Sequence, residues 1–196
     1  AVLFGPKNYQ VATRQEVDSI SEEFKDLSGI PGIIGAIDGC HITCTVGPEH
    51  GNDYCDRKFN KSVILLAICT AKCFITFAQA GCPGRAHDSR ALQRTSLFHK
   101  TEDEGIHHYF YTKDYHIIGD SAFPLKLWLM RRYPEANPNT PEAHFNYLLS
   151  VARVKVEHLF GQLKGRWRRL EKINVYSVEK VSSMLWLPVC YITYVF

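Results

Sequence analysis

The sequence predicts an α/β fold in which a three-stranded antiparallel meander, with at least one further strand, forms a mixed sheet flanked by helices. Three observations carry that expectation. Three apolar runs between Ile33 and Ala80 have the length and composition of strands, and only Thr70 to Lys72 separates the second from the third, short enough for a hairpin. A fourth such run, Tyr115 to Gly119, follows a mixed polar interval. From Asn146 to Lys172, Leu148, Ala152, Val156, Leu159, Leu163, Trp167 and Leu170 recur at three- and four-residue steps, the buried stripe of an amphipathic helix.

Taken in order, residues 1–28 read as a partial N-terminal helical segment. Its helix runs from about Thr13 to Leu27, with Val17, Ile20, Phe24 and Leu27 on one face and Gly29 ending it. Ile33 to Thr45 is a buried strand carrying one charge, Asp38. A carboxylate in such a run is costly unless paired or metal-bound, although Asp38-Gly39 is also a hairpin-turn signal. Gly47 to Lys61 is a polar loop, and Ser62 to Thr70 and Cys73 to Ala80 are the next two strands, the second closed by Gly81 to Gly84. Asp88 or Ser89 is placed to cap a helix running through Ala91, Leu92 and Leu97, so for Asp88 capping competes with a role at a site. Lys100 to Lys113, with His107 and His108, reads as a solvated loop. Asp120 stands at the end of the fourth strand, where functional groups concentrate in sheet-based folds. Leu125 to Arg132 reads as a short helix and Tyr133 to Pro141 as a loop into the long one.

A chain of 196 residues, 45% apolar and 22% charged, fits one globular unit. The net charge of +3 is small, but Asn146 to Lys172 holds seven Lys or Arg against Glu157 and Glu171, so positive charge is concentrated on that helix. Seven cysteines, an odd number scattered through apolar runs, fit a reducing compartment better than a disulfide framework. No run approaches the ~20 apolar residues of a membrane span, so no membrane partner is expected. The sequence at Ala1 reads as mid-domain, which suggests a fragment of a longer protein.

Glu157 shares a helix stripe with Arg153, Gly161 and Lys164. A solvated basic face, with Glu157 paired to Arg153, is the bland alternative to a site. Asp38 and Asp120 from strands and Glu157 from a helix are three hard-oxygen donors of the kind Mg²⁺ and Mn²⁺ prefer. Two such ions can activate a water or hydroxyl and stabilise the leaving oxygen at a phosphodiester. Arg153, Lys164, Arg166 and Arg168 would then draw in a polyanion and contact its phosphates. Gly161 would let the sheet or DNA approach the helix. Other chemistries fit less well. A phosphohydrolase site from His41, His87, Asp88 and Asp120 wants an all-helical scaffold. A zinc site from Cys40, Cys44 and Cys55 with His41 or His50 lacks regular spacing. Ser121 lacks an evident His partner.

Five blocks between Gly29 and Lys172 carry a family likeness: IPGIIGAIDGCHI around Asp38, DYCDRK at Asp53 to Lys58, AGCPGRAHDSRAL with His87 and Asp88, GDSAFPL with Asp120, and FNYLLSVARVKVEHLFGQLKGRWRRL with Glu157. Together they resemble the PIF/Harbinger group of DDE transposases and the Harbinger-transposase-derived nucleases, with Phe123 where that group usually has Tyr. The resemblance implies an RNase H-like nuclease domain over 29–180 and catalytic metal ligands Asp38, Asp120 and Glu157. It also implies His87 and Asp88 as auxiliary residues, two divalent ions (Mg²⁺ or Mn²⁺), and DNA cleavage with strand transfer at terminal inverted repeats. A Myb-like partner protein would assist DNA binding and nuclear entry, with the nucleus as the expected compartment, the cytoplasm as a second, and a homo-oligomer as a further expectation. Two departures stand out. Residues 181–196 form a divergent segment without the Leu-His-Asn ending of the group, and the upstream helix-turn-helix region is not in this sequence. A domesticated protein that binds DNA or a protein partner without catalysis is the second reading.

Overall fold

The structure, a computed structural model, describes residues 14–45, 47, 53–56, 59–103, 112, 114–174, 177, 180–185 and 188–189. Six strands make one mixed sheet: β1 (Ile33–Cys44), β2 (Ser62–Cys69), β3 (Ile75–Pro83), β4 (His116–Ile118), β5 (Leu129–Met130) and β6 (Lys172–Ile173). Their order is β3-β2-β1-β4-β5, with β6 also on β1. The first three strands form the expected antiparallel meander, while β4 and β6 run parallel to β1 and β5 runs parallel to β4. All eight residues of β2 are buried, so the central position of this strand explains its unbroken apolar run. The β2–β3 hairpin closes through Thr70, whose N–H donates to Phe74 O at 2.9 Å, and through Cys73 at φ 65°.

β1 is longer than its neighbours on one edge. β4 pairs with Ile33, Gly35 and Ala36, whereas β6 pairs only with Thr43 and Cys44. Among the described residues no strand pairs with the β1 stretch between them on that edge. This gap in the sheet lies directly beyond the ends of β4 and beside Asp38.

Alternating side chains of β1 feed two cores. On one face Ala36, Cys40 and Ile42 pack with Phe24 of α1 (Arg14–Ser28) and with Ala152, Val156 and Leu159 of α4 (Pro141–Arg166). On the other, Ile37 packs with Leu66, Phe77, Leu92 of α2 (Asp88–Gln93) and Leu97 of α3 (Ser96–Asp103). Val181, Leu185 and Val189 belong to the first core, so chain on both sides of residues 29–180 contributes buried side chains to it. α1 ends at Gly29, φ 76°, whose N–H returns to Lys25 O at 2.7 Å.

Several expectations need correction. The expected single helix through Leu97 is broken into α2 and α3, because Gln79 bridges the junction. Its amide donates to Arg94 O and accepts from Ser96 N, both at 3.2 Å, and the Thr95 hydroxyl takes Phe98 N at 3.1 Å. Neither Asp88 nor Ser89 caps α2. The cap position is His87, without a side-chain cap bond. Lys100 to Asp103 belong to α3 rather than to a loop, and His107 and His108 lie outside the described residues. Leu125 to Arg132 is not a helix: Leu129 and Met130 pair with Ile117 and Ile118, which buries Trp128 and Leu129 and leaves Leu125 and Leu127 exposed. The long helix begins earlier and ends sooner than Asn146 to Lys172. Thr140 caps it by accepting from Ala143 N, Pro141 starts it, and it stops at Arg166, before Trp167 leaves helical geometry. Its buried stripe includes Leu149 and Phe160, with Leu148 only partly buried.

Candidate active site

Asp38 lies mid-strand opposite Ala67, not at a hairpin turn. Its Oδ1 accepts from Gly39 N at 2.9 Å, and its Oδ2 lies 3.6 Å from Arg153 Nη1. Burial pushes its carboxyl up to about 6. The Gly39 N–H and Arg153 pull it down, while Asp120 and Asp88 add to the rise.

Asp120 is two residues beyond Ile118, and Ile118 pairs with Ala36, two residues before Asp38. The two aspartates therefore leave adjacent parallel strands at the same level, at the mouth of the gap. A tight turn fixes Asp120: its Oδ1 accepts from Ala122 N at 2.9 Å and its carbonyl from Phe123 N at 3.3 Å. The turn folds under because Gly119 has no side chain. A Cβ there would come 2.8 Å from the fully buried Phe123 ring and 3.1 Å from Ile37. Arg131 then ties the turn down, donating from Nη1 to the carbonyls of Ser121 and Phe123 at 3.0 and 3.1 Å. Sequence reasoning missed Arg131, since nothing local marks an arginine as the partner of carbonyls eight and ten residues earlier.

Glu157 sits on the exposed side of α4, one turn after Arg153, and its Oε1 accepts from Arg153 Nη2. One guanidinium thus touches both Asp38 and Glu157, through different nitrogens. The bland reading of Glu157, paired with Arg153, and the site reading describe the same contact.

The other named residues surround this centre unevenly. Asp88 approaches from the opposite face of the sheet, its Oδ1 lying where a Cβ on Gly39 would be. His87 is exposed before α2. Lys164 donates to His41 O at 3.0 Å, docking the end of α4 on the unpaired stretch of β1. Arg166 ends α4 and Arg168 opens the following 3₁₀ turn, both exposed. A Cβ on Gly161 would meet nothing within 4 Å, so this glycine does not serve close approach of the sheet. Cys40 and Cys44 are buried thiols, that of Cys44 pushed up to about 11 by burial. His41 Nδ1 meets Ser62 Oγ at 3.0 Å, and His50 lies outside the described residues.

Among the described residues, no three His, Cys, Asp or Glu side chains converge to hold a metal ion. Of the carboxylates, one oxygen of Asp38 and one of Glu157 lie against the Arg153 guanidinium. The donors nonetheless fit a divalent cation in chemistry: hard carboxylate oxygens, a half-buried Asp38 crowded by Asp120 and Asp88, and a positive charge already drawn to them.

A family model described as DDE superfamily endonuclease matches residues 37–192. The chain belongs to that family. Among curated relatives, this DDE superfamily chain is 32% identical over 178 residues to the protein named "Putative nuclease HARBI1" of Bos taurus, covering 89% of the chain and 49% of the relative. It is 31% identical to the Homo sapiens protein of the same name over equal shares. It is 28% identical to "Protein ALP1-like" of Arabidopsis thaliana, covering 88% of the chain and 42% of the relative. The chain spans about half the length of the curated relatives it matches. No solved structure matches it.

Proposed function

We propose that this DDE superfamily domain is the catalytic part of a metal-dependent DNA endonuclease of the Harbinger transposase type. The observation that carries the reading is the arrangement of Asp38 and Asp120 at one level of adjacent parallel strands, with Glu157 joined to Asp38 through a single guanidinium. The mixed sheet with carboxylates at these positions also supports the RNase H-like reading. Asp38, Asp120 and Glu157 would hold Mg²⁺ or Mn²⁺. When bound, the metal supplies activation of the attacking oxygen and stabilisation of the leaving one at a phosphodiester. The chain's own residues do the rest. The turn tied by Arg131 keeps Asp120 aimed at the gap, Lys164 keeps positive charge at its rim, and Arg153, Arg166 and Arg168 contact phosphates without reading sequence. His87 and Asp88 act as auxiliaries from the opposite face. Cleavage at terminal inverted repeats, a Myb-like partner, self-association and nuclear location, with cytoplasm second, extend the proposal on the family resemblance.

The test is nicking of plasmid DNA carrying the cognate ends in Mg²⁺ or Mn²⁺. Asp38→Asn, Asp120→Asn and Glu157→Gln are each expected to abolish nicking while remaining folded, and a Glu157→Gln protein that cuts like the parent overturns the assignment. The contact of Arg153 with two of the three carboxylates also favours a second reading, a domesticated binder of DNA or protein that needs no metal. One relative's name, "Protein ALP1-like", mentions no nuclease. Calorimetric titration with Mn²⁺ separates the readings: heat that Asp38→Asn removes favours the nuclease, and its absence in the parent favours the binder.

A further inference from the structure

Arg153 is placed differently from the other cations near the site. Lys164 is committed to the His41 carbonyl, while Arg166 and Arg168 sit at and beyond the end of α4. Arg153 alone among these reaches both β1 and its own helix, with Nη1 on Asp38 and Nη2 on Glu157, and its side chain is only 25% exposed. Guanidinium stays charged under all ordinary conditions and offers a planar fork that can serve two carboxylates at once. The two groups it touches are both acidic, Asp38 on β1 and Glu157 on α4, and Asp120 and Asp88 lie close enough to Asp38 to raise its carboxyl. Such a cluster repels itself unless some cation is present. The folded chain supplies one.

A divalent ion and this guanidinium compete for the same carboxylate oxygens, and their like charges make simultaneous occupancy unfavourable. Glu157 lies one helical turn from Arg153, so the flexible stem of the arginine can leave Asp38 without any backbone movement. We propose that Arg153 is an internal counter-cation, latching Asp38 to Glu157 in the metal-free protein and exchanging with the divalent ion. This rests on the nuclease reading above. Once displaced, the guanidinium is left at the rim of the gap, free to meet a DNA phosphate. The latch lets the domain fold with its acids compensated before metal arrives, and it makes metal affinity weaker than the carboxylates alone would set.

The test is Mn²⁺ binding by calorimetry, with melting temperature measured with and without Mn²⁺, for the parent, Arg153→Ala, Arg153→Gln and Asp38→Asn. Arg153→Ala is expected to bind Mn²⁺ on the order of tenfold tighter, as when the latched form holds about nine molecules in ten. Without metal it should melt below the parent, and saturating Mn²⁺ should remove that difference. Where the alanine variant does not fold, Arg153→Gln carries the same expectation. Asp38→Asn should lose binding in either background. Equal or weaker binding by the Arg153 variants, with the parent still binding, overturns the latch and leaves the nuclease reading standing. Binding by the variants alone supports the latch and overturns the nuclease reading, since the parent would then be locked. Binding by neither overturns both.

Discussion

Asp38 carries the largest electrostatic tension in the site. Its carboxyl titrates at about 6 in the folded protein against an ordinary 3.8, chiefly through burial. Between roughly pH 4 and 6 the folded state therefore binds more proton than the unfolded one, so stability falls as pH rises through that window and is level above it. At about 1.4 kcal/mol per pH unit, the ionised side chain costs up to about 3 kcal/mol at neutral pH. Asp38→Asn is accordingly expected to be more stable than the parent by about 1–3 kcal/mol at pH 7 in urea denaturation, with the difference vanishing near pH 4. A variant less stable at pH 7 would mean that the Arg153 contact outweighs burial. The proposed metal binding makes the opposite demand, since it requires the ionised carboxylate. Mn²⁺ affinity should fall steeply below about pH 6 in the parent.

Among the elements, those whose pattern is local were legible and those set by a distant partner were not. Val17 to Leu27, the doubly buried β2 and the short β2–β3 junction carry their periodicity in consecutive residues. Residues 125–132 do not: Leu125 and Leu127 turn outward, while Trp128 and Leu129 are buried only because β4 offers an edge to pair with. Asp38 and Asp120 could be singled out because one interrupts and the other follows a strand-patterned run, and Glu157 because it is an acid among cations. Arg153 bridging two of them, and Arg131 tying the Asp120 turn, depend on contacts between separate elements that no spacing encodes. Glycines show the same divide. A Cβ at Gly84 would run into Ser62, including its backbone carbonyl, and into the Tyr54 carbonyl at 3.0 Å, which gives the Pro-Gly block a packing reason. Gly84→Ala should therefore cost about 1–3 kcal/mol. Gly161 has open space around it inside α4, five residues before its end, so Gly161→Ala should stabilise by about 0.5–1 kcal/mol. If that variant also binds DNA more weakly, as fluorescence anisotropy would report, the glycine serves the approach of DNA; unchanged affinity removes that role.

At the scale of the whole molecule, the candidate site is a gap in a sheet, and two kinds of tie hold its sides. One is global: Leu185 and Val181, near the C-terminal end of the described residues, share a core with Phe24, Ala36, Cys40 and Val156 and so help hold α4, and with it Arg153 and Glu157, against β1. The other is local: Arg131 holds two carbonyls of the Asp120 turn. The two ties should fail differently. Leu185 is 1% exposed, so Leu185→Ala should cost about 2–5 kcal/mol of unfolding free energy. While that variant remains folded, its Mn²⁺ affinity should be close to that of the parent, because Ala152, Val156 and Leu159 still pack α4 on β1 and the two strand aspartates and their register are untouched. Arg131→Ala removes charge-assisted bonds from a partly exposed turn, where about 1–3 kcal/mol is at stake. Its stability loss should be the smaller of the two and its Mn²⁺ affinity the weaker, since Asp120 would no longer be held toward Asp38. Denaturation and calorimetry on the same pair of proteins decide the matter. If Leu185→Ala loses metal binding in proportion to stability while Arg131→Ala keeps it, the geometry of the site is set by the packing of α4 and not by the turn after β4.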